Sequence, residues 1–304
     1  MDLKSKIVLI SGPTASGKSN FAIKLAKKID GEIINADSMQ VYKELKIISA
    51  RPELKKNQKI KHHLYGFQSV RNNFSTGDWL KLAIKKIKEV KKRKKIPILV
   101  GGTGLYFKAL VYGLVNIPKI PVRFRNKIRT IHKNLGQKKF YQKLLKLDPN
   151  SKNKVISTDV QRTIRAYEVK KFTNKSLHDW YEDTESYFKK KDFLKIYIDC
   201  PREKLILKIN QRILKMIKMG AIKEVKEFIK LKIKKDKSAN KAIGISEIIE
   251  YFENKAELKD VIEKISIKTR QYAKRQNTWA RGQMKEWKKI SPQKLSKFIK
   301  MILV

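Results

Sequence analysis

The chain has 304 residues and is 41% hydrophobic, which suits one large domain, or a domain with an elaboration, around a sizeable core. Its formal net charge of +45, with a pI near 10.2, exceeds what solubility requires and points to a polyanionic partner, nucleic acid foremost, although the dominance of lysine with abundant Ile and Asn also reflects AT-rich coding. Cys200 is the only cysteine, which excludes an internal disulfide and suits a reducing cytosol; no apolar run is long enough to span a bilayer, and Met1–Lys6 leads straight into the first strand, so a cytoplasmic protein without a signal peptide is expected.

The apolar run Ile7–Ile10 reads as a buried strand, and Gly12-Pro13-Thr14-Ala15-Ser16-Gly17-Lys18-Ser19 follows it as G-x-x-x-x-G-K-S. Lys18 to Ile29 places Phe21, Ala22, Leu25, Ala26 and Ile29 at helical spacing. Strand, loop and helix in that order are the setting of a phosphate-binding loop. Its backbone N–H groups cradle a polyphosphate, Lys18 adds a point charge and the Ser19 hydroxyl suits a magnesium ion. Glu32–Ala36 predicts a second short strand ending at Asp37. A helix follows over Asp78–Lys95, then a buried strand over Ile96–Val100 and a glycine-rich turn, Gly101-Gly102-Thr103-Gly104.

This alternation implies an α/β fold: a phosphate-loop-type parallel sheet flanked by helices, with ligands at the carboxyl ends of its strands. The phosphate loop, Asp37 and Gly101–Thr103 all fall at such ends. Residues 116–192 lack a convincing buried strand and are dense in Lys and Arg between proline turns, so they read as a helical insertion domain. The core is then 1–115 and 193–304. Sheet character returns at Leu194–Asp199, and helices are expected over Glu203–Met219, Ala221–Lys232 and about Leu258–Lys288.

Asp37 is the candidate general base, since a carboxylate at this strand tip can face the nucleophile attacking a bound polyphosphate; Asp37 can equally cap a short helix. Thr103 can bond a ligand or cap the helix after it. His62-His63 does not read as a metal pair, because adjacent side chains diverge and no cysteine or third histidine lies nearby in the sequence. Asp199 suits either a magnesium-water contact or a turn before Pro201. In Thr269–Arg281, Arg270, Lys274 and Arg281 can share one helix face with amides and aromatics interleaved, which suits phosphates and exposed bases; an ordinary basic amphipathic helix packed through Tyr272 and Trp279 fits the same pattern.

Together GPTASGKS (Gly12–Ser19), NADSMQVY (Asn35–Tyr42), His62-His63, ILVGGTGLY (Ile98–Tyr106), DVQRTIRAYEV (Asp159–Val169), the Arg212, Met216 and Gly220 spacing, and TRQYAKRQNTWAR (Thr269–Arg281) resemble the tRNA dimethylallyltransferase family. The resemblance implies transfer of a dimethylallyl group from dimethylallyl diphosphate to N6 of the adenine 3′ of the anticodon, with diphosphate released and Mg2+ as cofactor. It implies that Gly12, Pro13, Thr14, Ala15, Ser16, Gly17, Lys18 and Ser19, with Arg212, hold the diphosphate, and that Ser19 meets the metal. Asp37 then takes the amine proton, with Thr103 beside it. Contacts to the tRNA anticodon stem-loop fall to Asp37, Ser38, Met39 and Gln40; to Gln161, Arg162, Thr163, Ile164 and Arg165; and to Lys274, Arg275, Gln276, Asn277, Thr278, Trp279, Ala280 and Arg281. A monomer with no membrane partner is expected. The family's Gly-Thr-Ala-Lys-Pro stretch is Ile48-Ser49-Ala50-Arg51-Pro52 here, and its Gly-Tyr pair is Gly244-Ile245. A nucleotide or small-molecule kinase on the same loop, or an RNA-binding protein with a vestigial site, is the rival reading.

Overall fold

The computed structural model of the chain describes residues 3–53, 60–182 and 184–303. Its strands are β1 (Ile7–Ser11), β2 (Gly31–Asn35), β3 (His62–His63), β4 (Ile96–Gly101), β5 (Phe193–Ile198) and β6 (Lys288–Ile290). They form one sheet in the order β3-β2-β4-β1-β5-β6, parallel throughout. The fold class is therefore α/β, with helices covering both faces. Central strands buried on both sides read as continuous apolar runs, and β1 does: Val8 and Ile10 face one side, Ile7 and Leu9 the other.

The helices are α1 (Lys18–Ile29), α2 (Thr76–Lys92), α3 (Gly104–Tyr112), α4 (Val122–Leu147), α5 (Val160–Thr173), α6 (Leu177–Glu182), α7 (Arg202–Lys218), α8 (Ala221–Lys230), α9 (Ile245–Phe252), α10 (Leu258–Gln283) and α11 (Leu295–Leu303). Phe21, Leu25 and Ile29 of α1 join Phe298, Ile299 and Ile302 of α11 on one sheet face. Trp79, Ala83 and Ile87 of α2, with Tyr106, Phe107 and Leu110 of α3, cover the other. Trp79 stacks on Tyr106, centroids 4.2 Å apart and planes within 10°, and its Nε1 donates to the Asn35 carbonyl at 2.8 Å, so its one polar atom is satisfied inside the core. The α2 start is fixed by a capping box: Ser75 Oγ accepts from Asp78 N, and Asp78 Oδ2 accepts from Ser75 N. Helices α7 to α10 close a further cluster around Ile209, Ile213, Val225, Ile248 and Ile265, with the Val41–Ile48 segment packed into it.

The contacts divide the chain into two units, Met1–Val111 with Phe188–Val304, and Tyr112–Tyr187. The second unit is helical and has its own core of Ile128, Phe140, Leu144, Ala166, Tyr167 and Leu177. Helix α4 kinks at Gly136 (φ 70°, ψ 165°), and Gln137 just beyond donates from Nε2 to Thr163 Oγ1 of α5.

Two expectations change. The C-terminal helix stops at Gln283 rather than near Lys288, because Met284 and Trp287 turn into the core and Lys288–Ile290 pairs with β5 as an edge strand. His62-His63 forms the opposite edge strand. His63 Nε2 meets Glu32 Oε2 at 2.6 Å, and Arg93 grips the same carboxylate at 2.7 and 3.1 Å, so this histidine serves a buried ion cluster.

Candidate active site

The loop Gly12–Ser19 joins β1 to α1 at the carboxyl edge of the sheet. Its turn needs left-handed backbone at Ala15 (φ 62°) and Gly17 (φ 92°), which aims the first N–H groups of α1 at one spot. Ser16 is fully buried there and its Oγ has no hydrogen-bond partner among the described residues, so it is free to satisfy a bound group. Lys18 Nζ donates to the Pro13 carbonyl at 3.0 Å. Loss of water lowers the Lys18 pKa to about 8, with Asp37 opposing and Arg212 adding to the fall. Arg212, from α7, donates from Nη1 to Thr14 Oγ1 at 2.9 Å. Its pKa is lowered by desolvation and partly restored by Asp37. Two cations held partly dry beside a glycine-rich loop can receive a highly charged anion at close range.

Asp37 stands just past the tip of β2. Its backbone is clamped by Asn35, whose Oδ1 accepts from Asp37 N at 2.9 Å and whose Nδ2 donates to the Asp37 carbonyl at 3.0 Å. Asp37 Oδ1 accepts from Met39 N at 2.9 Å and Gln40 N at 3.4 Å. No helix follows, so the carboxylate orders a turn and does not cap a helix. Thr103 Oγ1 accepts from Ser38 N at 3.0 Å, tying the β4 turn to this one. Glu224 of α8 holds the next stretch by accepting from the backbone N–H groups of Lys46, Ile47 and Ile48 at 2.8–3.0 Å.

Gln276 links the two glycine turns. Its Oε1 accepts from Thr14 N at 2.8 Å and its Nε2 donates to the Gly102 carbonyl at 2.9 Å. A Cβ on Gly102 would lie 2.2 Å from Gln276 Nε2, and one on Gly104 would lie 2.3 Å from the Trp279 ring. The glycines therefore exist to let α10 lie against the loop.

Asp37 and Arg212 share a cavity of about 290 Å³ whose other wall is apolar: Ile48, Ile209, Ile213, Met216 and Ile265. Thr103 and Gly12 line a neighbouring space of about 240 Å³, and Tyr272 and Arg275 border both. Arg270, Lys274 and Arg281 do share a face, lining a cavity of about 740 Å³ with Asn277 and Asp199. Asp199 thus sits apart from the Asp37 cavity. Asn277 accepts from Tyr197 Oη at 2.6 Å, and Arg281 Nη2 donates to Thr278 Oγ1 at 3.4 Å.

The expected tRNA contacts differ in exposure. Ala280 is buried and lines two of the spaces beside α10, while Thr163 is buried and its hydroxyl donates to the Asp159 carbonyl at 2.7 Å. Gln161, Arg162, Lys274 and Arg275 are exposed, whereas Ile164 and Arg165 are partly covered. Sequence reasoning missed Gln276 as a bridge, Glu224 as a loop anchor, and the apolar wall from α7. The last had a signal: Ile209, Arg212, Ile213 and Met216 recur at helical spacing, which puts Arg212 in an apolar stripe.

A parallel sheet with this loop after β1 and a carboxylate just past the tip of β2, one strand removed across β4, defines a phosphate-loop α/β protein. The chain matches the family model described as IPP transferase over residues 40–283. It is 62% identical over 302 residues, 99% of this chain and 96% of the relative, to a tRNA dimethylallyltransferase of Pelagibacter ubique. It is 43% identical to one of Rickettsia bellii, covering 93% of this chain and 90% of that one. Among solved structures it resembles the full-length tRNA isopentenylpyrophosphate transferase of Bacillus halodurans, with 30% identity, TM-score 0.70, and 98% and 96% of the two chains covered. It also resembles a eukaryotic dimethylallyltransferase acting on tRNA, with 28% identity, TM-score 0.83, and 94% and 73% covered. The chain belongs to the IPP transferase family.

Proposed function

We propose that this enzyme transfers a dimethylallyl group from dimethylallyl diphosphate to N6 of the adenine 3′ of the anticodon in tRNA. The observation that carries the reading is the make-up of the Asp37 cavity: Asp37, Arg212 and an apolar set, Ile209, Ile213 and Met216, line one space, and Arg212 reaches the phosphate loop through Thr14. The diphosphate occupies the loop, where Ser16 Oγ, the α1 amides, Lys18 and Arg212 meet its charge. The five-carbon group lies along Ile209, Ile213 and Met216. N6 of an extruded adenine approaches Asp37. As the N6–C1 bond forms, the C1–O bond breaks and its electron pair leaves on the diphosphate, while an N6 proton passes to Asp37. Thr103 and Ser38, bonded together, fix the position of the Asp37 turn.

Among the described residues no three His, Cys, Asp or Glu side chains cluster as a metal site. The Ser19 hydroxyl would help to hold a Mg2+ here, and the ion would supply neutralisation of the leaving group. The helical unit and the Lys274–Arg281 face bind the anticodon stem-loop, whose unpaired bases cost less to extrude than those of a duplex. No helix among the described residues is long and apolar enough to cross a membrane, and the reading places the enzyme, as a monomer, in the cytoplasm with its tRNA. The test is nucleoside mass spectrometry of unmodified tRNA incubated with purified protein, Mg2+ and dimethylallyl diphosphate. The expected product is N6-dimethylallyladenosine; its absence, or ATP-dependent phosphorylation of a substrate instead, overturns the proposal.

A further inference from the structure

The helical unit contains a charge arrangement that its stability does not require. Glu168 of α5 is buried, with its side chain 2% exposed. Three guanidiniums surround it: Arg125 Nε at 3.3 Å and Arg129 Nε at 4.0 Å from α4, and Arg165 Nη1 at 3.7 Å from its own helix. Among the described residues only the Arg125 contact to Oε2 falls within hydrogen-bond distance, and Glu168 Oε1 has no hydrogen-bond partner. A buried carboxylate with loose pairing is costly, and an apolar residue of similar volume commonly stabilises as well or better. The three arginines also repel. Desolvation lowers the Arg165 pKa and Glu168 raises it, but the like charge of Arg125 lowers it further. Three guanidiniums against one carboxylate leave two positive charges unbalanced, and the arginines keep 41%, 51% and 40% of their side-chain surface exposed.

Residue choice points the same way. Lysine heavily outnumbers arginine in this chain, yet Arg123, Arg125, Arg129, Arg162 and Arg165 all fall on two packed helices of one unit. Guanidinium differs from ammonium in presenting a planar fork that matches two phosphate oxygens at once, and it keeps that geometry only when its orientation is fixed. Arg125 and Arg129 are one turn apart on α4, so they project along one face, and Arg165 of α5 meets them across Glu168.

We infer that Glu168 is a positioning residue: it gathers Arg125, Arg129 and Arg165 into a fan whose outward N–H groups bind backbone phosphates of the substrate RNA. This rests on the tRNA reading given above. It extends that reading by adding Arg125 and Arg129 to the RNA-binding set and by giving a buried acid a role in binding a polyanion. The carboxylate draws its partners inward by one edge and leaves the other N–H donors of each guanidinium directed out. Charge alone makes the opposite forecast, since a negative group next to an RNA site should weaken binding.

The experiment measures binding of an anticodon stem-loop RNA to the full-length protein across a salt series, with steady-state transfer assayed in parallel. For the Arg125→Ala/Arg129→Ala variant, the slope of log K against log salt falls by about 2, roughly one per lost phosphate contact. The KM for tRNA rises while the KM for dimethylallyl diphosphate holds. Glu168→Gln, which removes the buried negative charge and so raises the net charge by one, weakens RNA binding several-fold. Tighter binding by Glu168→Gln overturns the proposal, because it means that net charge and not orientation governs the contact. If Glu168→Gln loses helical signal by circular dichroism, Glu168→Asp replaces it: it keeps the charge, draws it back by one methylene, and should bind RNA with intermediate strength. An unchanged affinity and salt slope in the double arginine variant overturns the proposal whatever the Glu168 variants do. Prenylation by the parent enzyme in that case leaves the tRNA reading standing; no prenylation by the parent enzyme overturns both.

Discussion

In the sheet-bearing unit the cations beside Asp37 are few and partly stripped of water: Lys18 on the loop and Arg212 on α7, both with lowered pKa. In the helical unit they are many and wet, with Arg125, Arg129 and Arg165 each keeping two-fifths or more of their side-chain surface. The first arrangement suits a small, dense charge that must be stabilised as it departs, because attraction strengthens as water is excluded. The second suits a long, diffuse polyanion, whose binding is additive over many contacts and weakens with salt.

The comparison predicts that substitutions in the first unit alter turnover and the prenyl donor's KM, while those in the second alter tRNA affinity and its salt slope. The largest expected effect is that of Asp37→Ala. It should lower kcat by about 100- to 10,000-fold, the range for a lost general base, with RNA affinity largely kept. An Asp37→Ala enzyme with near-normal kcat in single-turnover assays breaks the comparison at its centre.

Lys18→Ala should lower kcat/KM for dimethylallyl diphosphate by about 100-fold, as loss of one charge-stabilising donor does. The pH dependence carries the same residue's signature. With a pKa of about 8 in the free site, Lys18 loses its proton above that pH, so kcat/KM for the donor falls on the alkaline side. The stability term has the opposite sign. Between about 8 and the ordinary 10.5 the unfolded chain holds this proton and the folded one does not, so the Lys18 contribution to stability rises with pH across that window. Lys18→Met should accordingly raise the Tm of the ligand-free protein at pH 7 while lowering kcat/KM for the donor about as far as Lys18→Ala does.

Met216→Ala separates tail from head. It should raise the KM for dimethylallyl diphosphate by roughly tenfold, the worth of a few buried methylenes, and leave inhibition by inorganic diphosphate unchanged. Equal losses for both ligands place the apolar wall elsewhere. The smallest effect expected is from Gln276→Ala, which unties Thr14 from Gly102 and should cost about 1–3 kcal/mol of stability by leaving two backbone groups short of a partner. Chemical denaturation reads it.

The core of the fold was legible because its strands are apolar on both faces and its helices carry uninterrupted stripes. The span Lys18–Ile29 follows directly from Phe21, Leu25 and Ile29. The sheet edges were not legible. Edge strands need few apolar residues, so β3 is two histidines and β6 is Lys-Lys-Ile with only Ile290 buried. At the site, the loop and Asp37 were visible as local motifs. Gln276 and Glu224 were not, since each acts on backbone more than 170 residues away. One departure from the family pattern, Ile48, packs against Gly244 of the other altered pair: a Cβ on Gly244 would lie 2.6 Å from Ile48 Cδ1, and Ile48 lines the Asp37 cavity. No local pattern pairs those two positions.

The most direct measurement is a structure of the enzyme holding both an unreactive thiolo analogue of dimethylallyl diphosphate and an anticodon stem-loop. The account places the analogue's phosphorus atoms against Lys18 and Arg212, its methyl groups along Ile213 and Met216, and the adenine N6 within hydrogen-bond reach of an Asp37 oxygen. An adenine seated beyond reach of Asp37, or a prenyl group pointing away from it, contradicts the account.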